Sequence, residues 1–291
     1  MTPRALQSFL SAHASIIRVE LTRVRGSSPR NEGAEMFVAQ GGLLGTIGGG
    51  QLEYLAIERA RRMLRDGDLN AWMDVPLGPE IGQCCGGRVE LSLARLRPRD
   101  LRAALSRAQA EQQARPSVYV LGAGHVGRAL ADLLQHLPVN CVLIDTRREE
   151  LALSRAEVET RLSVIPEYEI ATAPPRSAFV VLTHDHGLDF LLTAAALERK
   201  DAAYVGMIGS ATKRIKFRNW LRQQGCGQGI NDLICPIGAS GSRDKRPSVI
   251  AAFVVAEVMA ELTSETVAGI PIRENEAPAV GEQSDRTGRT A

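Results

Sequence analysis

Residues 118–127, which read VYVLGAGHVG, decide the fold of the second half of the chain. The apolar run predicts a buried strand, and the GxGxxG pattern that follows it predicts a tight turn into a helix. In this pattern Gly122 permits the turn, Gly124 lets a phosphate approach the backbone, and Gly127 lets the helix pack closely on the strand. The stretch therefore predicts a Rossmann-like unit.

The next predicted strand ends at Asp145, about 20 residues after the glycine turn. An acid at this place is expected to accept hydrogen bonds from a ribose diol or another polyhydroxyl edge. His125 lies inside the glycine turn, where its ring would sit beside a bound phosphate. Arg147 and Arg148 follow Asp145 and are either a phosphate contact or the solvated start of a helix. These features are unusual for an ordinary dehydrogenase.

Short apolar strands alternate with helices after residue 118, which predicts a doubly wound parallel sheet with helices on both faces. At its carboxyl edge, the sequence THDH makes His184 and Asp185 candidate ligand contacts. His184 and His186 could instead bind zinc, although their spacing is a loose signal. Ser210 follows a later strand and is a third candidate, either within an anion site or as a helix cap.

The first hundred residues have a different pattern, in which strand-like runs predict a small mixed α/β unit. Gly48, Gly49 and Gly50 lead into a helical pattern, so backbone N–H groups at the helix start predict contact with an anion. Glu53 in the first turn of that helix either complements the helix dipole or binds the ligand.

Two adjacent cysteines, Cys84 and Cys85, follow Gln83 in the stretch IGQCCGGR. Neighbouring cysteines do not easily form a relaxed disulfide, and they suit soft-metal or sulfur chemistry. Either thiol could instead pack as a small hydrophobe. The pair, with Gln83, is a candidate cofactor contact and could meet a soft metal.

Composition limits the class of protein. The 291 residues suggest two domains, and a net charge of +2 with 4% aromatic residues gives no case for nucleic acid. Five cysteines fit a reducing cytoplasm better than a disulfide framework, and no run is long enough for a membrane span. The expected organisation is an N-terminal α/β domain over residues 1–97, a helical linker over 98–116, a Rossmann-like domain over 117–263 and a disordered tail over 264–291.

Eight motifs occur in a fixed order along the chain: GSSPR (26–30), GTIGGGQLE (45–53), GQCCGGRVEL (82–91), VLGAGHVG (120–127), IDTR (144–147), THDH (183–186), YVGMIGS (204–210) and PIGASGSRDKRPSVIAAFVVAE (236–257). Together they resemble the XdhC/CoxI family of xanthine dehydrogenase accessory proteins. The resemblance covers about residues 1–262 of the sequence.

The resemblance implies a chaperone rather than an enzyme. Such proteins bind molybdenum cofactor, assist its sulfuration with a cysteine desulfurase, and deliver it to the molybdenum subunit of xanthine dehydrogenase. On this basis Cys84 or Cys85 is expected to contact molybdenum or shelter its sulfido ligand. The phosphate of molybdopterin is expected to rest on one of the two glycine turns.

Two other functions fit parts of the sequence. An NAD(P)-dependent oxidoreductase would use Asp145 for the ribose and His184 or His186 as an acid. A nucleotide-sensing module would bind a dinucleotide in one domain and a partner through the other. Neither requires the cysteine pair. A homodimer is the expected assembly, because it is the commonest one for soluble proteins.

Overall fold

A computed structural model describes residues 1–79, 86–224, 229–239, 242 and 244–268 of the chain, with side chains as far as residue 263. The chain divides into two compact units. The N-terminal unit comprises Met1–Arg115 and Pro138–Asn140, and the C-terminal unit comprises Pro116–Leu137 and the chain from Cys141 onward.

The N-terminal unit is an antiparallel sheet with helices on both faces. Its strands have the order β3-β2-β1-β5-β4. In chain order the elements are α1 (Pro3–Ala12), β1 (Ile17–Arg25), β2 (Glu35–Val38), β3 (Leu43–Gly45), α2 (Gly50–Asp66), β4 (Asn70–Pro76), β5 (Arg88–Arg95) and α3 (Pro98–Gln113).

Two apolar clusters stabilise this unit. Helix α2 buries Leu52, Ala56, Ala60 and Met63, whose spacing of three or four residues places them on one side of the helix, against one face of the sheet. On the other face, α1 and α3 pack around Phe37, which is fully buried. The segment predicted as a helical linker is thus α3, a helix that packs within the N-terminal unit.

The C-terminal unit contains a six-stranded sheet with the order β11-β10-β9-β6-β7-β8. The registers between β10 and β11, β9 and β10, β6 and β9, and β7 and β8 are parallel. In chain order its elements are β6 (Ser117–Leu121), α4 (His125–Leu134), β7 (Asn140–Asp145), α5 (Arg148–Ala152), β8 (Glu159–Leu162), α6 (Pro166–Ala171), β9 (Ala178–Val181), α7 (His186–Glu198), β10 (Tyr204–Met207), α8 (Ala211–Gln223), β11 (Leu233–Ile234) and α9 (Pro247–Ala268).

This strand order is that of the Rossmann fold, so the predicted fold class is confirmed. The order reverses between β6 and β9, and ligands of such sheets bind outside the carboxyl ends of the strands at that point. Helix α9 continues to Ala268, past residue 264 where the tail was predicted to begin. Residues 269–291 lie outside the described residues. No helix in the described part of the chain is both long and apolar enough to cross a membrane.

Candidate functional site

A narrow crevice lies at the carboxyl edge of the parallel sheet, where the strand order reverses. It brings together three predicted site residues, Gly122, Asp145 and His184. Its volume of about 10 Å³ is room for one water molecule. The full lining consists of Leu121, Gly122, Ile144, Asp145, Thr146, Pro166, Thr183, His184, Leu188 and Leu192.

The three glycines of the GxGxxG turn have different surroundings. Gly122 has a φ of +126°, and a Cβ there would lie 2.4 Å from the Leu182 carbonyl oxygen. A Cβ on Gly127 would lie 1.9 Å from the Gly122 carbonyl oxygen. By contrast, a Cβ on Gly124 would meet no atom of the described chain within 4 Å. Packing therefore explains the first and third glycines, while the second faces open space beside the exposed His125.

The Asp145 carboxylate is already engaged by the protein, since its side chain is only 3% exposed. It accepts hydrogen bonds from the Ala123 N–H at 2.7 Å and from the backbone and guanidinium of Arg147 at 2.9 to 3.0 Å. Burial raises the pKa of Asp145, but the hydrogen bonds from Arg147 and Ala123 outweigh it and lower that pKa below its usual value. Asp145 thus links the end of β7 to the glycine turn, instead of pointing a free carboxylate at a ligand.

A buried ion pair fixes the opposite side of the crevice. Asp189 in α7 and Lys213 in α8 lie 2.5 Å apart, with side chains 1% and 11% exposed. Asp189 also accepts hydrogen bonds from the backbone and hydroxyl of Thr183, at 2.8 and 2.7 Å. Lys213 donates to the Ile208 carbonyl oxygen at 2.9 Å. The pair therefore ties the loop after β9 to the turn after β10.

Asp185 and Ser210 are helix caps. The Asp185 carboxylate accepts from the Leu188 N–H at 2.8 Å, and the N–H groups of Leu188 and Gly187 lower its pKa. The Ser210 hydroxyl accepts from the Lys213 N–H at 3.3 Å. Within the ranges that the structure describes, no three His, Cys, Asp or Glu side chains are grouped as metal ligands.

The glycine turn of the N-terminal unit donates hydrogen bonds to a carboxylate of the protein, that of Glu53. Glu53 accepts hydrogen bonds from the Thr46 hydroxyl at 2.6 Å, the Ile47 N–H at 3.2 Å and the Gly49 N–H at 3.0 Å. A Cβ on Gly48 would lie 2.6 Å from the Pro29 ring. The predicted anion position at the start of α2 is therefore filled by Glu53, and the turn packs on the GSSPR segment.

The cysteine motif belongs to the connection between β4 and β5. Gln83, Cys84 and Cys85 lie outside the described residues. The ends of the connection are joined by hydrogen bonds from the Gly86 N–H to the Leu77 carbonyl oxygen, 2.9 Å, and from the Leu77 N–H to the Gly87 carbonyl oxygen, 2.8 Å.

This connection also approaches the GSSPR segment. A Cβ on Gly87 would lie 2.0 Å from the Ser27 carbonyl oxygen, so only glycine fits there. Three of the sequence motifs thus converge in the N-terminal unit.

Two residues of the C-terminal unit were missed by sequence reasoning. Arg128 donates to the Ala123 carbonyl oxygen and pairs with Glu150, both at 2.6 Å, which braces the glycine turn. Cys235 is buried just after β11, and burial raises the pKa of its thiol. An arginine after a glycine motif and an isolated cysteine are both common, so neither carried a signal.

Taken together, the fold and the crevice define a Rossmann-fold protein joined to a smaller antiparallel α/β unit. A family described as "XdhC Rossmann domain" matches residues 118–258, and one described as "XdhC and CoxI family" matches residues 9–70. The chain belongs to the XdhC and CoxI family, as its motifs predicted.

Two known proteins are similar to this chain, one in sequence and one in structure. The chain is 26% identical over 243 residues to "Uncharacterized protein YqeB" of Escherichia coli (strain K12), covering 81% of this chain and 41% of that protein. It therefore spans about two fifths of that relative's length. A crystal structure of a xanthine dehydrogenase from Bacillus halodurans has a TM-score of 0.75 and 17% identity, covering 93% of this chain and 98% of that one. At this identity the likeness concerns the fold alone.

Proposed function

We propose that the chain is an accessory factor in the maturation of xanthine dehydrogenase. It binds molybdenum cofactor, assists sulfuration of the cofactor with a cysteine desulfurase, and delivers it to the molybdenum subunit. Membership of the XdhC and CoxI family supports this proposal, and a Bacillus halodurans protein with a similar fold is described as a xanthine dehydrogenase. The cofactor is cargo in this function, so no catalytic residue is assigned.

One observation carries the proposal: the crevice keeps an open phosphate position but has no free acid for a ribose. Both oxygens of Asp145 accept hydrogen bonds from protein groups, and its side chain is buried. A dinucleotide dehydrogenase uses the acid at this position for the ribose hydroxyls. The observation therefore favours a phosphorylated ligand other than NAD(P).

The glycine turn suits the phosphate of molybdopterin. Space is open beside Gly124, and the first amides of α4 have no carbonyl partner within the helix, so they can donate to a phosphate. His184 is exposed at the rim and offers a polar wall for the pterin. The crevice holds about one water molecule, so binding requires side chains at its rim to move.

Retention of ligands on gel filtration tests the proposal. The full chain is mixed separately with isolated molybdenum cofactor, NAD⁺ and NADH, and the ligand that elutes with the protein is quantified. We expect the cofactor to be retained and the nicotinamide nucleotides to be lost. Retention of NADH without the cofactor would support the oxidoreductase or the nucleotide sensor instead.

A substitution at Gly124 tests whether the phosphate of the cofactor binds at this turn. Gly124→Ala adds a methyl group to the open space, at an ordinary backbone conformation with φ −66°, so the fold should persist. We expect retained cofactor to fall by about tenfold or more, because the methyl group excludes the phosphate from the helix amides. Gly41→Ala, also in open space, is the matched control and should retain cofactor normally.

The cysteines have their own test. The double variant with Cys84→Ser and Cys85→Ser should lose cofactor or fail to support sulfuration, measured as xanthine dehydrogenase activity after reconstitution with a cysteine desulfurase. Unchanged binding and unchanged sulfuration would remove the cysteine pair from the proposal, without affecting the assignment of the phosphate to Gly124.

A further inference from the structure

Strand β4 is a long edge strand at one end of the N-terminal sheet. It has seven residues, whereas the strands at the other sheet edges, β3, β8 and β11, have three, four and two. Short length is one way in which proteins protect sheet edges from pairing, and lysine or a covering element are others. Strand β4 contains no lysine, and its Trp72 side chain is 68% exposed.

The hydrogen-bond pattern shows which backbone groups face the open edge. Leu69 accepts from the Arg95 N–H and Leu77 donates to the Gly87 carbonyl oxygen, so odd-numbered positions bond to β5. Because bonding direction alternates along an antiparallel strand, the N–H and C=O groups of Asn70, Trp72 and Asp74 point outward. Among the described residues of the N-terminal unit, no backbone bond is made to these groups.

We propose that this edge pairs with β4 of a second copy, antiparallel about a twofold axis through Trp72. Rotation about a twofold axis perpendicular to the sheet keeps every side chain on its own face of the sheet. Residues that lie opposite each other must share a face, so the axis lies where one residue pairs with the same residue of the second copy. With Trp72 on the axis, the two Trp72 residues pair with each other, and Asn70 lies opposite Asp74 of the second copy. This register forms about six backbone hydrogen bonds.

Side-chain complementarity selects this register. The two indole rings lie on the face opposite α2, where aromatic cross-strand pairs are stabilising. The Asn70 amide can donate to the Asp74 carboxylate, which Arg88 already neutralises at 2.6 and 2.8 Å. Moving the axis to Met73 would set Trp72 against Asp74, and Pro76, which has no N–H, against Asn70. The pairing produces a continuous ten-stranded sheet and is independent of the proposed function.

Sedimentation equilibrium of the full chain tests the dimer. Trp72→Lys places two ammonium groups opposite each other, and we expect the dimer dissociation constant to rise by about 100-fold or more. The side chain is exposed, so the monomer should remain folded by circular dichroism. Tyr54→Lys is the matched control, because Tyr54 is a 57% exposed aromatic residue on α2 and should leave the dimer intact.

Cross-linking tests the register. In a background with Cys84, Cys85 and Cys226 replaced by serine, Trp72→Cys should form an intermolecular disulfide, since hydrogen-bonded pairs have Cα atoms about 5.5 Å apart. Asp74→Cys should form no disulfide. Asp74 faces Asn70 of the second copy, and Asp74 of that copy lies four residues further along its strand, about 13 Å away. Three results would overturn the proposal: a chain that is monomeric at 100 μM (roughly the upper range for weak dimers), a dimer that survives Trp72→Lys, or a dimer in which Trp72→Cys forms no cross-link.

Discussion

The two glycine turns of the molecule are both held by a carboxylate, but the two carboxylates come from different places in the chain. Each turn leads from a strand into a helix, and in each the carboxylate accepts hydrogen bonds from backbone N–H groups of the turn. In the N-terminal unit the acid is Glu53, one turn into the same helix. In the C-terminal unit it is Asp145, which ends the neighbouring strand. The first acid organises one turn locally, whereas the second joins two strands of the sheet.

Individual glycines of the two turns are required for different reasons. Gly49 needs glycine for its backbone conformation, with φ +75° and no described atom within 4 Å of a Cβ. Gly127 needs glycine because another part of the backbone occupies the space. Glycines in similar turns can therefore be required for different reasons, one for its backbone conformation and another for close packing of the backbone.

The largest expected effect comes from adding a methyl group at these glycines. Gly127→Ala should lower the free energy of unfolding by about 3 kcal/mol, because its Cβ would collide with the Gly122 carbonyl group. Gly49→Ala should cost about 2 kcal/mol from backbone strain alone, because its φ of +75° and ψ of −171° lie in a region that essentially only glycine occupies. Urea unfolding measures both, with Trp72 fluorescence reporting on the N-terminal unit and Trp220 on the C-terminal unit in single-tryptophan variants. Equal costs would contradict the distinction between the two turns.

Neutralising the two acids should have a smaller effect. Asp145→Asn should cost about 2 kcal/mol. The amide replaces one of the two acceptor oxygens by an NH2 group, so it cannot accept all the hydrogen bonds that Ala123 and Arg147 donate to the carboxylate. Glu53→Gln should cost about 0.5 kcal/mol, since it keeps one oxygen acceptor in a partly exposed turn. The same unfolding experiment compares them, and a larger loss for Glu53→Gln would reverse the assignment of long-range and local roles.

The smallest effect is a difference in acid stability. The pKa of Asp145 is lower in the folded protein, so its stabilising contribution is present above the ordinary value near 4 and is lost as pH falls through the lower folded pKa. The free energy of unfolding of wild type and Asp145→Asn should therefore converge as pH falls below about 4. Parallel pH profiles for the two proteins would show that the Asp145 charge does not contribute.

Much of the C-terminal fold could be predicted because its central strands are continuous apolar runs beside a glycine motif. Strand β8 was missed, since its sequence ETRL is charged and mostly exposed at a sheet edge. Strand β4 was missed for a related reason, because only Ala71, Met73 and Val75 face the core. Edge strands bury too little apolar surface to leave a clear pattern.

The candidate site was predictable in position but not in its hydrogen bonds. Strand ends in a doubly wound sheet converge, so Gly122, Asp145 and His184 were expected at one edge, and they line one crevice. The sequence left open whether the arginines after Asp145 meet a phosphate or solvent. In the structure Arg147 turns back onto Asp145 itself, an outcome that depends on side-chain geometry rather than on residue type.

The base of the β4–β5 connection is held from two sides. Hydrogen bonds join Leu77 to Gly86 and Gly87, and Gly87 lies so close to the Ser27 carbonyl oxygen that no side chain fits there. A side chain at Gly87 would therefore push the hairpin and the GSSPR segment apart together, so one substitution would disturb two motifs that are 60 residues apart in the chain.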